Sequence, residues 1–126
     1  MEFPSVVELP ERERLLVSAW LSSLRSARTR RSYLQDVRAW LAWCQGRGVD
    51  VLTVSRVHVD LWVSGLADAG AEAATICRRL SGVSSLYRYL ARHDLVPGNP
   101  TVGVERPTVD PDHTATVGLD RERPAR

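Results

Sequence analysis

The stretch Arg28–Cys44, RTRRSYLQDVRAWLAWC, constrains the fold more than any other part of the chain. Its apolar side chains fall at Tyr33, Val37, Trp40, Leu41 and Cys44. That spacing is one stripe of an α-helix. The opposite stripe reads Arg31, Gln35, Arg38, Ala42 and Gln45; it is cationic, amide-bearing and free of carboxylates. Thr29 occupies the place of an N-cap, which predicts a helix over about 30–46, closed by Gly46 or Gly48. Arg28 and Arg30 crowd the same end. A helix N-terminus already carries partial positive charge and favours acids. Cations there point to a bound anion, and a phosphate suits both the guanidinium groups and the free backbone N–H groups.

Three more helices follow from the same reading. Pro10 and the early glutamates Glu11 and Glu13 open a helix over about 11–24, with Leu16, Val17, Trp20, Leu21 and Leu24 as its apolar face. Ser55 caps a helix over about 56–68, faced by Val59, Trp62, Val63 and Leu66 and ended by Gly70. The longest runs from about Glu72 to His93, with the core stripe Ile76, Leu80, Val83, Tyr87 and Leu90. Its other face reads Arg78, Ser81, Ser85, Arg88, Tyr89 and Arg92, again without acids. Gly82, in its middle, costs about 1 kcal/mol relative to alanine. Either another backbone approaches there or the position is unoptimised. Beyond Pro97-Gly98-Asn99-Pro100 the periodicity stops, so residues 106–126 read as a linker or tail, and no strand candidate survives. The expectation is an all-α bundle of four helices over 11–105, preceded by an extension, 1–10.

Charge supports a binding role. All 17 basic residues are arginine, which makes bidentate contacts to phosphate and guanine that lysine does not. Residues 25–92 hold eleven arginines and five acids, a balance of +6, while the flanking segments are each −2. A basic middle between acidic ends is the footprint of a nucleic-acid-binding domain. Cys44 and Cys77 stand 33 residues apart with no metal-binding spacing, and His58 has no second ligand near it. Neither a metal nor a cofactor is expected. No apolar run reaches the roughly 18 residues of a membrane span. The acidic N-terminus lacks a leader's basic start and apolar centre, so the expected location is the cytoplasm.

The residues resemble a known family. Thr29–Cys44, with Thr29, Tyr33 and Asp36 in register, is similar to the second helix of the core-binding, SAM-like domain of tyrosine recombinases, the phage integrases and chromosome-dimer resolvases. Thr75–Leu90, TICRRLSGVSSLYRYL, resembles their fourth helix, with Gly82 where a better helix former is usual. Asn99-Pro100 matches the pair that closes the domain, and the likeness covers about 12–107. It implies a four-helix SAM-like bundle forming half of a clamp around a recombination half-site on double-stranded DNA. The implied DNA-binding residues are Arg28, Thr29, Arg31, Gln35 and Arg38 on helix 2, and Arg78, Arg79, Ser81, Ser85 and Arg88 on helix 4. Helix 1 is then the contact to other recombinase subunits. In the family a catalytic domain follows, with an arginine, a lysine, a His-x-x-Arg pair and a nucleophilic tyrosine. The residues after Pro107 supply none of these, and VGLDRERPAR resembles only that domain's start. The implied role is DNA binding without catalysis, by a truncated recombinase with no catalytic residue. Two alternatives remain: a helical protein-interaction module, and a short regulator that occupies recombination sites.

Overall fold

The computed structural model describes residues 9–109, and four helices account for most of them. These are α1 (Glu11–Ser22), α2 (Ala27–Gly46), α3 (Arg56–Asp68) and α4 (Ala73–Arg92), with no strand among the described residues. The all-α, four-helix architecture is the expected one. The tail expected at the end of the chain lies, from residue 110 onward, outside the described residues.

Helix ends follow local chemistry. The start of α2 differs from expectation: Ser26, not Thr29, is the N-cap, and its hydroxyl accepts the Thr29 amide at 3.2 Å. Ala27, Arg28 and Thr29 therefore form the first turn, and the helix gains about one turn at this end. Serine is at least as good a cap as threonine, and it leaves alanine and arginine, both strong helix formers, inside. In α3 the Ser55 amide donates to His58 Nδ1 at 3.0 Å, so the solitary histidine serves as part of a helix cap. The C-termini of α2, α3 and α4 share one device. After α2, Val49 N–H bonds to Cys44 C=O at 2.9 Å and Gly48 N–H to Gln45 C=O at 3.2 Å, with Gly48 at φ +67°. Gly70 and Asp94 occupy the same left-handed position after α3 and α4. This double bond pattern satisfies carbonyls that a helix end otherwise leaves orphaned.

The core is built on tryptophan. Trp20, Trp40 and Trp62, from α1, α2 and α3, are fully buried together with Tyr87 of α4. Trp40 lies at the centre. It stacks on Trp43 at 5.4 Å and meets Trp62 and Tyr87 edge-on at 5.1 and 6.3 Å. Its Nε1 donates to the Tyr87 hydroxyl at 3.0 Å, which in turn donates to Val51 C=O at 2.7 Å. Each large side chain so buried contributes about 1.5–3 kcal/mol, and aromatic N–H and O–H groups require such partners once buried. Every residue named for the α4 core stripe is buried. Cys44 is buried as well, and loss of solvent pushes its thiol up to about 12.

The contacts Asp36–Gly82 and Trp40–Tyr87 advance together along α2 and α4, so the two helices run in the same sense. After α4 the chain folds back along it. Asn99 Nδ2 donates to Ser84 C=O at 3.2 Å, Arg106 Nη1 to Cys77 C=O at 3.0 Å, and Cys77 Sγ to Pro107 C=O at 3.4 Å. Arg106, expected from sequence to be the first residue of the tail, is therefore docked on α4.

Candidate nucleic-acid interface

Helices α2 and α4 carry eight arginines between them: Arg28, Arg30, Arg31 and Arg38 on α2, and Arg78, Arg79, Arg88 and Arg92 on α4. Against these stands one acid, Asp36, which is buried. The core stripes turn the remaining arginine-bearing faces outward. Arg28, Arg31, Gln35, Arg78 and Arg88 are exposed, while Thr29, Arg38, Arg79 and Ser81 are half-buried. Arg31, Gln35 and Arg38 line an open depression on α2 together with Leu34.

Several expected contacts look elsewhere. Ser85 does not reach the surface: it is buried, and its hydroxyl accepts from Trp20 Nε1 at 3.1 Å. It lies three residues after Gly82, on the flank of α4 that packs inward, where an indole N–H needs an acceptor. The Ser81 hydroxyl donates to Cys77 C=O at 3.1 Å and lies 3.3 Å from Arg106 Nη1, so its lone pairs are shared with the following segment. The Thr29 amide is taken by Ser26. Arg30 turns back, its Nη1 donating to Leu24 C=O at 2.6 Å. It satisfies a carbonyl beyond the end of α1 rather than extending the cationic cluster. Arg28 and Arg31 remain exposed near the start of α2.

The helical register held one more signal. Asp36 is three residues after Tyr33 and four before Trp40, so it shares the core side of α2. Its partner is Arg78, whose Nε lies 3.7 Å from Asp36 Oδ1. Burial holds the Asp36 carboxyl above its ordinary range, with Arg78 and Arg79 acting in the opposite direction. Loss of solvent outweighs the pull of the two cations, because the carboxylate is inside while the guanidinium groups stay near water. Away from this face, Arg12 at the start of α1 is matched by Asp50 at 2.6 Å, and Arg47 lies over the Trp43 ring at 4.8 Å.

No group of three or more His, Cys, Asp or Glu side chains suited to a metal ion occurs among the described residues. No helix among them is long and apolar enough to cross a membrane. Of the three tyrosines, Tyr87 is buried with its hydroxyl engaged at both ends, and burial holds its phenol above the ordinary range.

Comparison with known proteins gives one consistent result. Residues 17–94 match the family described as phage integrase, N-terminal SAM-like domain. The chain is 31% identical over 103 residues to tyrosine recombinase XerD of Pseudomonas aeruginosa, covering 82% of this chain and 35% of that protein. It is 36% identical over 85 residues to tyrosine recombinase XerC of Mycobacterium bovis, covering 66% and 28%. It is 31% identical over 103 residues to XerC of a Mycobacterium species, covering 80% and 34%. The chain thus spans about a third of the length of the curated relatives it matches. No solved structure matches it.

Proposed function

The chain belongs to the family of phage integrase N-terminal SAM-like domains, and on that premise we propose that it grips double-stranded DNA at a recombination half-site through the outer faces of α2 and α4. The observation that carries this reading is the charge pattern: eight arginines on two packed helices, with their single carboxylate buried. Exposed Arg28, Arg31, Arg78 and Arg88 neutralise phosphates, and Gln35 and Arg38 reach toward base edges. Phosphate contacts fix position and supply most of the affinity; the few base contacts supply selectivity. The role is binding. Strand cleavage and joining, the chemistry of a tyrosine recombinase, are not assigned to these helices; of their three tyrosines, Tyr87 is withdrawn from solvent, and Tyr33 and Tyr89 are half-buried. Helix α1 is the element proposed to contact another recombinase subunit.

Titration of the full 126-residue chain on duplex DNA at several salt concentrations tests the proposal. With roughly 4–6 phosphates neutralised, log K falls against log salt with a slope of about −3.5 to −5.5. Arg31→Ala should weaken binding and flatten the slope by about one unit. Arg12→Ala removes a cation already matched by Asp50 and Glu13 and should leave both affinity and slope nearly unchanged. Salt-independent binding, or equal effects of the two substitutions, would refute the assignment in favour of a protein-binding bundle.

A further inference from the structure

We infer that Asp36 is a positioning residue for DNA binding, anchoring the Arg78 guanidinium at the junction of α2 and α4 so that it is held toward phosphate. The inference rests on the DNA-binding reading above. Three observations converge on it. Asp36 is only 1% exposed, yet its closest cationic partner, Arg78, keeps a side chain 55% exposed. The pair therefore spans the boundary between core and surface, with the anion inside and the cation outside. Asp36 Oδ2 has no hydrogen-bond partner, so the carboxylate is held in place by packing and by the field of its cations. Gly82 makes room for it: a Cβ there would stand 2.9 Å from Asp36 Cβ and 3.0 Å from Oδ2.

A buried, incompletely hydrogen-bonded carboxylate is costly, and a hydrophobic residue of similar size fastens two helices as well or better. What an apolar residue does not supply is orientation of an arginine. A long side chain fixed before binding loses less conformational freedom when it meets phosphate. Arg79, whose charge also acts on Asp36, reinforces the same arrangement from the next position of α4.

The sign of one substitution separates positioning from bulk charge. Asp36→Asn removes a negative charge beside the proposed interface, so electrostatics alone makes the protein bind duplex DNA more tightly. Positioning predicts the reverse: affinity falls by about 2- to 10-fold, the range set by immobilising one long side chain. In an Arg78→Ala background, Asp36→Asn should cause no further loss. Arg78→Lys, which preserves charge but not the planar group, should also weaken binding, and this variant decides the matter if Asp36→Asn does not fold. Tighter or unchanged binding by Asp36→Asn, an equal loss in the Arg78→Ala background, or wild-type affinity of Arg78→Lys overturns the inference. If Arg31→Ala still weakens binding in that event, the DNA-binding reading stands. If salt and Arg31→Ala both leave binding unaltered, that reading falls and takes this inference with it.

Discussion

Two glycines inside helices should respond to the same substitution with opposite signs. Gly65, in α3, has open space where a Cβ would be, whereas at Gly82 that atom would meet Asp36. Alanine gains about 1 kcal/mol over glycine in a helix interior, so Gly65→Ala should stabilise the domain by about that amount. At Gly82 the same gain is opposed by overpacking, which costs about 1–3 kcal/mol in a filled site. The nearest atom is Asp36 Cβ at 2.9 Å, so turning the carboxylate brings no relief; α2 and α4 themselves must separate. A net loss of about 1 kcal/mol is expected for Gly82→Ala, from the difference between these two magnitudes. At about 4–8 °C per kcal/mol for a domain of this size, the variants should melt on opposite sides of the wild type. Urea unfolding monitored by tryptophan fluorescence, with thermal melts alongside, reads both. Equal stabilisation by the two substitutions would refute the close approach at Gly82, and with it the explanation of that glycine.

Two further outcomes follow from the buried polar groups. Tyr87→Phe strands Trp40 Nε1 and Val51 C=O, so it should cost about 1–3 kcal/mol in denaturant unfolding; a change below about 0.5 kcal/mol, the usual scale of a surface substitution, would show that the relay does not matter. Asp36 gives a pH signature. Its carboxyl is raised in the folded state above its ordinary value of 3.8, so the folded protein binds that proton more tightly than the unfolded chain. This contribution favours folding at low pH and is lost as pH rises from the unfolded value through the raised one. Asp50, lowered by its hydrogen bond from Arg12, contributes in the opposite sense. Comparing wild type with Asp36→Asn isolates the first contribution: the stability of the wild type relative to the variant should decline as pH rises above about 4, the ordinary carboxyl value, and parallel pH profiles would contradict the raised carboxyl.

Four helices were legible in the residues alone, because each carries an apolar stripe at helical period, and a stripe is a property of neighbours along one chain. The ends of α3 and α4 were legible to within about a residue, since caps and left-handed C-termini are local chemistry. The start of α2 escaped because Ser26 and Thr29 are both competent caps, and the choice depends on how the chain turns between them. The resemblance of Thr29–Cys44 and Thr75–Leu90 to the recombinase helices was legible for the same local reason, and the family match covers both. Which polar residues on those helices face outward was not. Ser85, Ser81 and Arg30 look like members of hydroxyl-rich or cationic faces, yet they are taken up by Trp20, by Cys77 and Arg106, and by Leu24. It took the packing of α2 on α4 to bury Asp36 against Gly82 beside Arg78, and the return of the segment after α4 to place Arg106 over Cys77. Those partners are tens of residues apart, and helical period states which side of a helix is apolar without stating what meets it.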